Sequence, residues 1–304
     1  MRIVELFCGI GGFRYGLEKA NEISAYTQSR FGDKKGQLIP QSQGSWRWEF
    51  QEFRCVYAND NDKYACQIYR KHWGNKELYE GDIRAVDPAT IPEHDLICAG
   101  FPCQSFSIAG KRGGFQDTRG TLFFEIMRIA RAKGTPYLLL ENVKGLLSHD
   151  EGDTFQTILR TMDELGYDCQ WQVLNSKDFG VPQNRERVFI IGHSRGQPRP
   201  KVFPIGEVNQ DDTGQSAIYR RDSISRTLLA NYGDVSGDGT KLSIMNKVRR
   251  LTPTECERLQ GFPDGWTEGI SDTQRYKTLG NAVTTNVITA IASGWISDQR
   301  GGDS

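Results

Sequence analysis

The sequence predicts an α/β protein: a mixed, mostly parallel sheet with helices on both faces and a small irregular or β-rich module set into it. Three observations predict this. Short apolar runs alternate with helical patterns through the first two-thirds of the 304 residues, and strand–helix alternation builds parallel sheets. Runs such as Tyr137-Leu138-Leu139-Leu140 are apolar without interruption, as strands covered on both faces are. Between about residues 194 and 248 no helical period is sustained, and Gly, Asp, Ser and Pro are frequent.

Taken in order, the expected strands are Ile3–Phe7, Cys55–Ala58, Asp95–Cys98, Tyr137–Leu140, Cys169–Leu174 and Arg187–Ile191. Helical stretches include Asp62–His72, Leu122–Ala132 and Thr154–Leu165. In the second, Leu122, Phe123, Ile126, Ile129 and Ala130 fall at helical spacing. A helix restarts at Thr252-Pro253-Thr254-Glu255, with threonine as N-cap, proline at the first helical position and glutamate completing a capping box. The expected division is a body over 1–193, a module over 194–248 and a return to the body over 249–304. The body carries an insertion at about 22–53, longer than a strand–helix connection needs. That insertion holds Arg30, Lys34, Lys35, Arg47, Trp46, Trp48 and Phe50.

Composition narrows the classes. Lys+Arg and Asp+Glu both total 38, so any polyanionic partner must be met by local patches rather than a global field. No run approaches the ~18–20 apolar residues that span a bilayer, and the N-terminus lacks a signal-peptide layout; a cytoplasmic protein is expected. Seven cysteines lie scattered at 8, 55, 66, 98, 103, 169 and 256, without a C-x-x-C pair. Neither a disulfide framework nor a metal site is expected. Cys8, Cys55, Cys66, Cys98 and Cys169 read as small buried hydrophobes.

Cys103 reads differently. The apolar run ends at Gly100, and the thiol follows in a Pro102-Cys103-Gln104 turn. In open α/β sheets the carboxyl ends of strands are where ligands bind. Phe7-Cys8-Gly9-Ile10-Gly11-Gly12-Phe13 forms a glycine-rich turn after the first strand, suited to close approach of a ligand to the backbone. After the second strand, Asn59-Asp60-Asn61-Asp62 offers a ribose acceptor, best Asp60, with Asn61 or Asp62 better placed as a helix cap. Gly81-Asp82-Ile83 offers a carboxylate to an adenine amino group. Glu141 follows a wholly apolar run, so desolvation should raise its pKa. Arg185 and Arg187 alternate into Val188-Phe189-Ile190-Ile191 and should share one face. Arginines there can lower a thiol pKa or bind a base carbonyl or phosphate.

These segments, in this order, resemble the DNA (cytosine-5) methyltransferases over nearly the whole chain. The motifs are Glu5-Leu6-Phe7-Cys8-Gly9-Ile10-Gly11-Gly12, Gly100-Phe101-Pro102-Cys103-Gln104-Ser105-Phe106-Ser107, Arg119-Gly120-Thr121-Leu122-Phe123, Glu141-Asn142-Val143 and Gln183-x-Arg185-x-Arg187. Leu251-Thr252-Pro253, Gln260-Gly261-Phe262-Pro263 and Leu279-Gly280-Asn281-Ala282-Val283 complete the series. The resemblance implies a Rossmann-like S-adenosylmethionine-dependent fold. It implies that S-adenosylmethionine is held by Phe7, Gly9, Ile10, Gly11, Gly12, Asp60, Asn61, Asp82, Ile83, Pro102, Leu122, Asn281, Ala282 and Val283. Ala282 stands where the family usually has a small polar residue.

The implied reaction is methylation of carbon 5 of a cytosine flipped out of duplex DNA. Cys103 would attack carbon 6, Glu141 would serve ring nitrogen 3, and Arg187, supported by Arg185, would hold the base carbonyl. Gln104, Ser107, Lys111, Arg112, Arg226 and Thr227 are the implied DNA contacts. Residues 194–248 correspond to the target-recognition region, short for the family and so suited to a short site. The aromatic and basic residues of the insertion suggest a further DNA contact. Implied partners are double-stranded DNA and a cognate restriction endonuclease, a functional and not necessarily physical partner, for a monomeric enzyme. Two readings compete: a tRNA cytosine-5 methyltransferase, whose usual Cys-Phe-Thr tripeptide is missing here, and a catalytically silent DNA-binding relative, against which Cys103, Glu141, Arg185 and Arg187 speak. A nicotinamide dehydrogenase fits poorly, because the glycine spacing is wrong.

Overall fold

The computed structural model describes residues 1–31, 37–40, 46–49, 52–102, 122–200, 202, 225–226, 241–244 and 247–300. In chain order the elements are β1 (Arg2–Leu6), α1 (Gly12–Phe31), β2 (Gln37–Pro40), β3 (Trp46–Glu49), β4 (Arg54–Asp60), α2 (Lys63–Trp73), β5 (Leu78–Glu80) and β6 (Leu96–Gly100). They continue with α3 (Leu122–Lys133), β7 (Tyr137–Val143), α4 (Asp153–Glu164), β8 (Tyr167–Asn175), β9 (Gln183–Asn184) and β10 (Glu186–Ser194). Last come β11 (Ser225–Arg226), β12 (Lys241–Ile244), β13 (Lys247–Arg250), α5 (Pro253–Leu259), α6 (Asp272–Asn281) and α7 (Thr285–Arg300).

Seven strands form one sheet in the order β5-β4-β1-β6-β7-β10-β8. Neighbours from β5 to β7 pair in parallel. β10 is antiparallel to both β7 and β8, so it alone is reversed and the sheet is mixed, mostly parallel, as expected. Successive residues of a strand face opposite sides, and the core divides accordingly. Ile3, Cys98 and Leu139 pack with Phe13, Leu17, Ile288, Ile291 and Trp295 of α1 and α7. Val4, Ile97, Leu138 and Leu140 pack with Phe123, Ile126 and Met127 of α3 and Ile158 and Met162 of α4. A third cluster joins Ile10 to Ile68 of α2 and to Leu251, Cys256, Phe262, Trp266 and Leu279.

Local signals set the helix ends. The Asp62 side chain accepts from the amides of Tyr64 and Ala65 and starts α2, and Gly74, at φ 77°, ends it. The capping box at Thr252 forms as expected. Three differences stand out. α1 continues to Phe31, so residues 22–31 belong to it and the excursion before β4 is shorter than the expected 22–53. The described backbone of that excursion is an antiparallel hairpin, Leu38 opposite Trp48. β5, with only three residues, is too short to signal itself. Within 194–248, β11 pairs with β9 and β12 with β13; the remainder, apart from Ser194–Pro200, Val202 and Lys247–Val248, lies outside the described residues. No helix among the described residues is long and apolar enough to cross a membrane.

α1 and α7 cross closely at Gly16, where an added Cβ would sit 2.6 Å from Ile288 Cβ and 2.8 Å from the Thr285 carbonyl oxygen. Ala is favoured over Gly in a helix by ~1 kcal/mol, but backbone cannot step aside and overpacking costs ~1–3 kcal/mol. Gly16→Ala should therefore lose stability in urea unfolding, by up to about 2 kcal/mol. A variant as stable as wild type would contradict this packing.

Candidate active site

The turn between β1 and α1 is fixed by strained backbone and distant side chains. Phe7 adopts φ 54°, uncommon for a bulky residue and characteristic of functional turns. Gly9 and Gly11 also have positive φ, 54° and 83°. A Cβ at Gly9 would meet nothing within 4 Å, whereas one at Gly11 would lie 2.1 Å from the Trp73 ring and one at Gly12 2.7 Å from Val283. The turn is thus packed from behind and open at Gly9, room that a ligand can use.

Asp60, at the end of β4, holds this turn. Its carboxylate accepts from the Gly9 amide and from the Asp62 amide, both at 2.8 Å. Burial raises its pKa. Beneath the turn, the fully buried Glu5 accepts from the amides of Phe13 (3.2 Å) and Arg14 (3.3 Å) and from the Tyr69 hydroxyl (3.3 Å). A carboxyl here suits the helix N-terminus, yet burial dominates and pushes its pKa up to about 8.

In front of the turn lies a cavity of about 270 Å³. Phe7, Ile83 and Leu122 give it apolar walls, and Asn61 and Asp82 supply polar groups. Its size is below the ~300–1,000 Å³ of pockets that enclose a whole drug-sized ligand, so it suits one part of a larger molecule. Apolar walls and a carboxylate fit a purine whose amino group donates to that carboxylate. Asn59, buried at the end of β4, shapes the floor by donating to the carbonyls of Tyr79 (3.1 Å) and Gly81 (2.8 Å). Asp82 accepts from the Arg84 amide at 2.9 Å and pairs with its guanidinium. Those bonds hold the Asp82 pKa down at about 2, so it is an acceptor at neutral pH.

The second half of the site lies where β6, β7 and β10 end. Register puts Gly100 beside Glu141 and Phe189 across from it. A Cβ at Gly100 would come 3.2 Å from a Glu141 carboxyl oxygen, so glycine leaves room for that carboxylate. Arg187 Nε lies 3.1 Å from Glu141 Oε1, and both side chains are largely buried. Burial raises the Glu141 pKa against the pull of Arg187 and Arg185. Asn142 donates to the Phe101 carbonyl at 2.9 Å and so ties β7 to the backbone just before Pro102. Pro102 is exposed there.

The structure brings Glu141 and Arg187 together as expected but gives Arg185 another job. Arg185 lies just before β10, only 2% exposed, and donates to the carbonyls of Gly280 (3.1 Å) and Ala282 (2.8 Å). Its guanidinium fastens the α6–α7 junction, so the support expected of it comes through backbone; it is a positioning residue. Asp60 also accepts from backbone amides, those of Gly9 and Asp62, a role beyond the ribose contact expected of it. Ile10 and Ala282 put their side chains into the third core cluster, leaving only backbone for a ligand. Asn281 is exposed beside them. Sequence reasoning missed Glu5, Asn59, Arg84 and Trp266; polar residues interrupting or ending an apolar strand were the available signal for the first two. Cys103, Gln104, Ser107, Lys111, Arg112 and Thr227 lie outside the described residues, and Arg226 is described only as part of β11. Cys8, Cys55, Cys66 and Cys98 are buried, with Cys169 partly so, and burial raises all five thiols; they are inert packing groups.

Solved structures share this architecture. The S. pombe Dnmt2 methyltransferase matches with a TM-score of 0.68 at 19% identity, over 96% of this chain and 97% of that one. A putative DNA modification methyltransferase encoded within an E. coli prophage matches at 0.62 and 17%, over 98% and 99%. The fold is that of the S-adenosylmethionine-dependent methyltransferases. Residues 1–213 and 206–297 match the C-5 cytosine-specific DNA methylase model. The chain is 34% identical to the Type II methyltransferase M.HhaI of Haemophilus parahaemolyticus, over 96% of this chain and 93% of that protein. It is 37% identical to M.NgoBI of Neisseria gonorrhoeae, over 95% and 91%. The chain belongs to the C-5 cytosine-specific DNA methylase family and transfers a methyl group from S-adenosylmethionine to carbon 5 of cytosine in DNA.

Glu5 predicts a pH signature. A carboxyl whose folded pKa is raised to about 8 contributes stability that is full below the unfolded value near 4.5 and is lost as pH rises through the folded one. Melting temperatures of wild type and Glu5→Gln, compared from pH 5 to 8.5, should show the wild-type advantage shrinking with pH. A constant or growing difference would contradict the assignment.

Proposed function

We propose that the reaction runs through Cys103 and the Glu141–Arg187 pair on a cytosine flipped from a specific duplex sequence. The observation that carries this is the buried Glu141 carboxyl paired with Arg187 at 3.1 Å, on the strand next to the one that runs into Pro102 and Cys103. Carbon 5 of cytosine is a weak nucleophile. Attack of the Cys103 thiolate on carbon 6 forms a carbon–sulfur bond and pushes electron density to carbon 5. Glu141, whose pKa burial raises, hydrogen-bonds or protonates ring nitrogen 3 and stabilises the charge that develops there. Arg187 orients that carboxyl and binds the base carbonyl. Carbon 5 takes the methyl group that the cofactor supplies, then loses its proton, and the thiolate leaves.

The cofactor's adenosine end belongs in the cavity, its amino group on Asp82 and its ring between Phe7, Ile83 and Leu122. Asp60 has acceptor sites beyond those its backbone partners use, which leaves it able to meet the ribose. Gly9, Gly11 and Gly12 admit the cofactor to the backbone; Asn61, Pro102, Asn281 and Val283 frame it. Target recognition falls to 194–248, with Arg226 and Thr227. Gln104, Ser107, Lys111 and Arg112 meet the DNA around the cysteine, and Trp46, Trp48 and the basic residues near them extend the contact. The enzyme works as a cytoplasmic monomer beside a cognate restriction endonuclease.

Duplex DNA carrying 5-fluorocytosine tests the chemistry, because fluorine at carbon 5 cannot leave as a proton does and the adduct persists. Wild type should form a denaturation-resistant complex on duplex DNA and not on tRNA. Cys103→Ser should form none, and Glu141→Gln should lower the trapping and methylation rates by roughly 10²–10³-fold. An adduct in Cys103→Ser, or preferential methylation of tRNA, would contradict the reading.

A further inference from the structure

The glycine turn has anchors close at hand in sequence or in β4: the Cys8 amide donates to the Asn59 carbonyl at 2.9 Å and the Gly9 amide to Asp60. One anchor comes from 256 residues away: the Trp266 indole N–H donates to the Ile10 carbonyl at 3.1 Å, a buried bond. We propose that Trp266 is a positioning residue for cofactor binding, its indole N–H holding the Ile10 carbonyl so that the turn stays shaped for the cofactor. The inference rests on the cofactor occupying the cavity in front of that turn.

Trp266 is itself held on every side. His72 stacks on it with ring centroids 3.6 Å apart and planes 11° apart, and His72 Nε2 donates to the Trp266 carbonyl at 2.9 Å. Phe262 stacks at 5.0 Å and Tyr15 packs at 4.8 Å. The backbone around Trp266 is pinned by the fully buried Glu257, which accepts from the amides of Gly265 and Thr267, both at 2.8 Å, and pairs with Arg275 at 3.0 Å. A ring fixed this firmly presents its N–H in one direction. Ile10 is 1% exposed, so no water replaces the donor if the N–H is removed, and a buried carbonyl left alone shifts its backbone to find another partner. That backbone lies between Gly9, where a Cβ would meet nothing within 4 Å, and the tightly packed Gly11, three residues after Phe7 of the cavity wall.

Trp266→Phe keeps an aromatic ring and removes the N–H. Binding of S-adenosylhomocysteine, measured by calorimetry, should weaken about tenfold, the size expected when one buried carbonyl loses its donor. The methylation rate at saturating S-adenosylmethionine should be unchanged. Ile158→Ala opens the separate core cluster on α4, to which neither Trp266 nor Ile10 belongs; it should lower the melting temperature and leave cofactor affinity as in wild type. Affinity within about twofold of wild type in Trp266→Phe, or equal losses in both variants, would overturn the proposal. If Trp266→Phe does not fold, His72→Phe, which keeps the stack and removes the bond that orients the Trp266 backbone, should weaken the same ligand about threefold; unchanged affinity there would overturn it. Failure of wild type to bind would remove the cofactor reading and this role with it, whereas binding by wild type that Asp82→Ala weakens and Trp266→Phe does not would remove this role alone.

Discussion

The ion pair between Glu141 and Arg187 depends on a reversal in the sheet. Because β10 runs antiparallel to β7, Arg187 stands opposite Val143 and reaches back to Glu141 two residues away. A parallel neighbour entering from the other end would have brought its first residues to the far side of the sheet. Removing one partner of a buried pair costs ~3–5 kcal/mol, because a charge is left without compensation. The pair is therefore held as a unit. Gly100 leaves space for the carboxylate, and Asn142 ties the same strand to Phe101. The strand end that leads to Cys103 is thereby fixed against the strand end that carries Glu141.

The cofactor side is built on the same plan with different parts. There the critical backbone is a turn, and a turn cannot stabilise itself through a ladder. Its polar groups are taken up by Asp60, Asn59, Glu5 and Trp266, its apolar ones by Trp73 and Val283. Arg185 joins the two halves. It leaves the chain two residues before Arg187 and grips the backbone of Gly280 and Ala282. Gln260 adds a second link, donating to the Leu279 carbonyl and accepting from Thr284, both at 2.8 Å. The substrate-facing strand and the cofactor-facing junction are thus parts of one buried polar framework.

Much of this was legible in the sequence because it is local. Uninterrupted apolar runs marked β6 and β7; Asp62 and Thr252 marked helix starts; Glu141 was conspicuous as a charge ending an apolar strand. What escaped depends on partners far away in the chain. Arg185 and Arg187 look equivalent in sequence, yet only one lies on β10, and the other turns toward a junction some ninety residues on, 95 to Gly280. Asp60 reads as a ligand acceptor, but its nearest amides are its own neighbours and Gly9. Arg84 reads as an ordinary surface residue until its fork is seen on Asp82, and nothing near Trp266 in sequence announces Ile10. The two tryptophans and basic residues of the excursion after α1 remain a sequence observation.

Burial raises the Glu141 carboxyl while Arg187 restrains it. Isotope-edited infrared titration of the Glu141 carboxyl, in wild type and in Arg187→Gln, measures this directly. A midpoint above the ordinary carboxyl range is expected in wild type, moving higher when the guanidinium is removed. A midpoint at the ordinary value, or one that Arg187→Gln leaves in place or lowers, would contradict it.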